Sequence, residues 1–158
     1  QSVHRSGAQI CRWTAAMARP YRPLAGRFRR VGRLKAEGKS LPRYALLRHT
    51  GAPDDPSGCH IDLLLEDGDS CRTWRLATVP QLNAKAQPAV PLPAHRKVWL
   101  DPRSAAVSGN RGWAERIHAG SYCGVLPNAT DADVTLQLEG DLQGCLRITS
   151  GHCSLSNP

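Results

Sequence analysis

From residue 44 onward, apolar and polar side chains alternate in short runs. Tyr44, Leu46 and Arg48 alternate with Ala45, Leu47 and His49. A period of two is that of a β-strand, whose successive side chains point to opposite faces. Residues 50–58 are rich in Gly, Pro and Asp and read as a loop. Residues 59–66 then form a second strand, with Ile61, Leu63 and Leu65 on one face and His60 and Asp62 on the other. Asp67-Gly68-Asp69-Ser70 is a hairpin turn, and residues 71–77 return as the partner strand. Trp74 is expected to pack on the apolar face with Leu63 and Leu65.

Beyond this hairpin the pattern is patchier. Residues 78–93 contain four prolines and read as a long connection. Residues 95–100 predict a short strand. Turns follow at Asp101-Pro102 and over residues 108–112. Trp113, Glu115 and Ile117 alternate, as do Val134, Leu136 and Leu138, and residues 142–149 return after Gly140-Asp141. Residues 151–158 are expected to fray. Many short strands without a long amphipathic helix predict an all-β sandwich or small barrel.

Charge changes the picture at one end only. The net charge is +8, but residues 1–40 hold ten of the 21 Lys/Arg and one of the 13 acids. The remainder is close to neutral. The chain is therefore expected to divide into a flexible, disordered basic arm (1–40), a β domain (41–150) and a tail (151–158). A basic arm on a neutral body suits a tether for a polyanion, and equally a leader, including one of the transit-peptide type. The chain starts at Gln1, and its single methionine, Met17, is a candidate natural start. No apolar run is long enough for a membrane span, and no secretory signal is evident, so a cytoplasmic monomer is expected. The six cysteines show no C-x-x-C spacing, which disfavours a zinc knuckle and predicts reduced, mostly buried thiols.

The candidate chemistry lies on the second strand. His60 and Asp62 share a face, and His49 ends the strand before. Two imidazoles and a carboxylate suit manganese, iron, zinc or nickel and leave coordination positions open. His95 is a fourth candidate. The same set fits the iron triad of a 2-oxoglutarate oxygenase, although the chain is short for that fold and no cosubstrate arginine is evident.

The stretch RHTGAPDDPSGCHIDLLLEDGDSCRTWRL, followed by LPAHRKVWLD and VSGNRGWAERIHAGSY, resembles the 3′-phosphoesterase domain of bacterial DNA ligase D. It is more similar still to short free-standing members of that family. The shared order is a His ending one strand, then H-x-D-x-R-L-E, a Trp in the partner strand, and a His followed by an aromatic. The resemblance implies a small closed or partly closed antiparallel β-barrel. It implies His49, His60 and Asp62 as metal ligands, manganese as the usual metal, and His95 as a phosphate contact. Glu66 and Trp74 match further family positions. The implied activity is hydrolytic trimming of 3′-phosphate or 3′-ribonucleoside ends of DNA in end repair. DNA 3′ ends, with RNA also open, and a DNA ligase are the implied partners.

Two positions depart from the family pattern. Leu64 stands where the family has an active-site Arg, and Trp99 where ligase D domains have a Tyr. These losses leave open a second reading, a catalytically decayed module that binds nucleic-acid ends. A hairpin centred on Gly68-Asp69 pairs Arg75 with Asp62, so Arg75 is a candidate replacement for the missing guanidinium. The alternative for Arg75 is an ion pair with Asp62 or Glu66.

Overall fold

A computed structural model describes residues 38–158 of the chain; the arm expected at 1–40 lies almost entirely outside the described residues. Residues Leu41–Pro158 form one compact unit. Its architecture is mainly β, with the named strands joined in one sheet by antiparallel pairings.

The strands are β1 (Arg43–Thr50), β2 (Cys59–Asp67), β3 (Ser70–Leu76), β4 (Gln87–Pro88), β5 (Val90–Arg96), β6 (Ser104–Ala106), β7 (Trp113–Cys123), β8 (Val134–Gly140), β9 (Gly144–Thr149) and β10 (His152–Ser156). Their order across the sheet is β4-β10-β9-β8-β7-β1-β2-β3-β5, with β6 paired to β7 off that path. The two end strands, β4 and β5, are consecutive in the chain and separated by Ala89 alone. The sheet therefore curls until its ends meet. The join is made by the covalent chain rather than by a hydrogen-bonded ladder, so the barrel is only partly closed.

Most of the core lies on one face of this sheet. Tyr44 and Leu46 of β1, Leu63 and Leu65 of β2, and Trp74 of β3 pack with Leu136, Leu138 and Leu146 from the far strands. Tyr44 crosses this core: its hydroxyl donates to the Leu142 carbonyl at 2.9 Å and accepts from the Leu142 amide at 2.8 Å. Gly120 leaves room for that ring, because a Cβ there would strike the Glu139 carbonyl and come within 2.7 Å of the ring. A smaller cluster forms on the opposite face of β1–β2–β3. It contains Ala45, Leu47, Leu64, Cys71, Trp99, Leu100 and Ala114.

Three local expectations are corrected. The last residues do not fray: β10 pairs with both β9 and β4. Its alternating Cys153 and Leu155 are buried in the main core, which anchors it. The proline-rich connection is partly strand, because β4 and β5 are sheet ends and a proline without an N–H is tolerated there. Finally, residues 97–100 leave the sheet as a 3-10 helix, Lys97–Leu100. That turn drives Trp99 and Leu100 into the smaller cluster, which a continued strand would not do. Among the described residues no helix is long and apolar enough to cross a membrane. Of the described cysteines, Cys71 and Cys153 are buried free thiols, whereas Cys59 is exposed.

Candidate metal centre

Strand register builds the site. In the β1–β2 ladder His49 lies directly opposite His60. In the β2–β3 ladder Asp62 lies opposite Arg75 and Leu64 opposite Thr73, as the turn predicts. His95 enters from β5, opposite Cys71. The three groups His49, His60 and Asp62 are buried, with 9%, 3% and 1% of their surfaces exposed. Each can offer one ligand atom such that all three atoms lie within 4.8 Å of one another. The face carrying His and Asp is thus as enclosed as the apolar face.

Hydrogen bonds fix the proton positions. The Nε2 of His49 lies 2.7 Å from the Arg111 carbonyl, which can only accept, so Nε2 carries the hydrogen. Nδ1 is thereby turned to Asp62 Oδ2 at 3.3 Å, within hydrogen-bonding distance. His60 is held the other way round, its Nδ1–H donating to Asp55 Oδ2 at 2.6 Å. Its Nε2 faces Asp62 Oδ1 at 3.2 Å. Among the described residues, His60 Nε2 and Asp62 Oδ1 are buried without a hydrogen-bond partner. Ring nitrogens of two imidazoles and the oxygens of one carboxylate therefore converge in a buried space. Leaving such atoms unmatched costs about 1–3 kcal/mol each. A cation held between them matches all of them, so this donor set fits a divalent ion.

Asp55 is a residue the sequence reading passed over as loop. Hydrogen bonds from Ser57 and then His60 hold its carboxyl down at about 2. A carboxylate behind an imidazole orients the ring and raises its basicity as a ligand. The available signal was an acid followed two residues later by Ser, the pattern of a local turn closed by the acid's side chain.

His95 donates from Nδ1 to the Pro93 carbonyl at 3.0 Å and points Nε2 toward Asp62 Oδ2 at 3.7 Å. Burial alone would lower its pKa, but Asp62 and the Pro93 carbonyl outweigh burial and raise it. For Asp62, burial pushes up, and His95, His60 and His49 together bring it below its ordinary value.

His49, Asp62 and His95 face a cleft of about 350 Å³, also lined by Asp54, Arg75, Arg96, Trp99 and Arg111, with His60 buried behind it. Arg75 does not pair with Asp62 or Glu66; its guanidinium reaches Asp54 at 3.1 Å, and its buried Nε has no partner. Glu66 lies away from this cleft and accepts from the Arg43 amide at 2.8 Å, with Lys97 Nζ at 2.6 Å. Trp74 belongs to the main core, as expected. Leu64 is fully buried in the smaller cluster with Trp99 and does not line the cleft. An arginine at position 64 would enter that apolar cluster.

The turn at residues 107–112 contributes more than its sequence suggested. Besides the Arg111 carbonyl on His49, the Val107 amide donates to the Gly112 carbonyl at 2.8 Å. Gly112 has a positive φ of 90°, and a Cβ there would collide with the Thr50 carbonyl and approach Gly51 C to 2.7 Å. Only glycine lets the turn press against the end of β1 next to His49. No family model matches the chain, and the search of curated proteins found no match either.

Proposed function

We propose that the protein is a metal-dependent phosphoesterase acting on nucleic-acid 3′ ends, as the resemblance to the ligase D domain implies. The observation that carries this reading is the buried convergence of His49, His60 and Asp62, two of which, His49 and Asp62, line a cleft that also carries Arg75, Arg96 and Arg111. A divalent ion held there, manganese by the resemblance, supplies Lewis acidity to a phosphate oxygen. Arg75 grips the phosphate, exchanging its exposed partner Asp54 for the substrate, an exchange that costs little for a surface pair. Water attacks phosphorus and gives up a proton to solvent as the bond to the leaving oxygen breaks, and His95, kept more basic than usual, donates a proton to that oxygen. DNA, or RNA, with a terminal 3′-phosphate or ribonucleoside is the substrate, and a DNA ligase is the partner that uses the trimmed end. The test is manganese-dependent phosphate release from a 3′-phosphorylated oligonucleotide. Turnover lost in His60→Ala supports the reading; turnover retained in that variant, or absent from the wild type, refutes it.

The second reading, an end-binding module without catalysis, draws on Leu64 and Trp99. Both sit in one apolar cluster where the family pattern has two polar groups. Tight binding of DNA ends with no metal-dependent turnover selects it.

A further inference from the structure

Across the sheet, the strands that carry the cleft run in the order β7-β1-β2-β3-β5. Arg111 stands two residues before β7, His49 is on β1, His60 and Asp62 are on β2, Arg75 is on β3 and His95 is on β5. The donor set is therefore flanked by cations on both sides. Neighbouring strands lie about 4.8 Å apart, so β7 and β3 are separated by about 14 Å.

The two flanks differ in how their charge is held. Arg75 is offset by Asp54, and its side chain belongs to the β3 wall. Among the described residues Arg111 has no carboxylate partner of this kind. Its Nε donates to the Ser108 carbonyl at 2.7 Å and its Nη2 to Ser108 Oγ at 3.2 Å. Both bonds fold the side chain back over its own turn, and that turn is fixed against β1 through Gly112. The guanidinium is thus pre-ordered at the rim and does not reach toward the Asp62 side. Its remaining N–H groups are left for an anion, and it is exposed.

We propose that Arg111 is a second phosphate contact, which binds the phosphate one nucleotide away from the one held at the metal centre. This rests on the phosphoesterase reading for the identity of the first phosphate. It makes Arg111 a specificity-determining residue that favours polynucleotide ends over mononucleotides. A guanidinium held in place loses little freedom on binding an anion, which is what such a contact requires.

The test uses the full chain loaded with manganese. Arg111→Ala retains the backbone carbonyl on which His49 depends, and calorimetry with manganese alone reports whether the turn is intact. Two substrates are compared, a mononucleoside 3′-phosphate and a dinucleotide ending in 3′-phosphate. The expected result is a tenfold or greater loss of kcat/KM on the dinucleotide and less than threefold on the mononucleotide. Anisotropy with a labelled 3′-hydroxyl oligonucleotide, which offers no terminal phosphate to hydrolyse, gives a second readout. There the slope of log K against log salt should fall by about 0.7, the loss of one contact on a single strand, with Arg111→Lys retaining the slope. An unchanged slope, equal losses on both substrates, or a collapse of manganese affinity in Arg111→Ala overturns the inference. A wild type that binds the oligonucleotide through Arg111 but turns over neither substrate removes the phosphoesterase reading and leaves this contact standing.

Discussion

The two faces of β2 make opposite use of one strand. Ile61, Leu63 and Leu65 enter a large core fed by both halves of the sheet. Asp62 and Leu64, two residues apart on the other face, divide between an unsatisfied polar centre and a small apolar cluster. On the first face the contacts are apolar apart from the hydroxyls of Tyr44 and Tyr122, which bond to backbone, and burial is the main stabilising contribution. On the second face, Leu64, Trp99 and Leu100 pack together on the side of the sheet where the His and Asp groups face one another. The difference teaches that the main core holds the fold, while the smaller cluster borders buried polar atoms that have no hydrogen-bond partner among the described residues.

The largest effect that sharpens this contrast belongs to the main core. Trp74→Ala should lower stability by about 3–5 kcal/mol in urea unfolding, because its indole is almost wholly buried there. A variant that stays stable but loses activity would shift Trp74 to the site. Next comes the metal. At a hundredfold excess over its Kd, manganese should stabilise the wild type by about 2.7 kcal/mol. His60→Ala should abolish that gain, and a gain that persists would dismiss the ligand set.

A smaller effect is expected from Gly112→Ala. Displacing the turn loosens the Arg111 carbonyl from His49, and losses of about 10–100-fold in manganese affinity are typical when such outer partners move. Calorimetry that finds wild-type affinity would show that His49 is positioned by its strand alone. Smaller again is an alkaline effect confined to the apolar clusters. Burial pushes the thiol of Cys153 up to about 12 and that of Cys71 up to about 11, from 9.0. The folded state therefore favours the protonated thiols. This contribution to stability is complete below pH 9 and declines as pH rises toward 11–12. A pH series of unfolding midpoints checks it, and alkylation should reach exposed Cys59 before either buried thiol. The slightest structural effect concerns residues 1–40. Their deletion should leave the thermal midpoint of the body in place and reduce the salt slope of DNA binding; an equal slope would assign the arm to a leader role.

The sequence by itself determined what rests on local periodicity. Alternation assigned β1, β2 and β3. The short turn centred on Gly68-Asp69 set their register, so the pairing of Arg75 with Asp62 was legible before any coordinates. The same logic placed His60 and Asp62 on one face and Trp74 among the leucines. Only the tertiary structure decided the rest, because it depends on segments far apart in the chain. The pairing of His49 with His60 needs a loop of unpredictable closure. The carbonyl that orients His49 comes from residue 111, and the acid that orients His60 lies in that same loop. The end of the chain becomes a strand because β9 and β4 offer it partners on both sides. A side chain's face can be read from the period of its own strand. What it meets there is set by the closing of the sheet, which brings β4 and β5 together around Ala89 and carries His95 and Trp99 to the cleft.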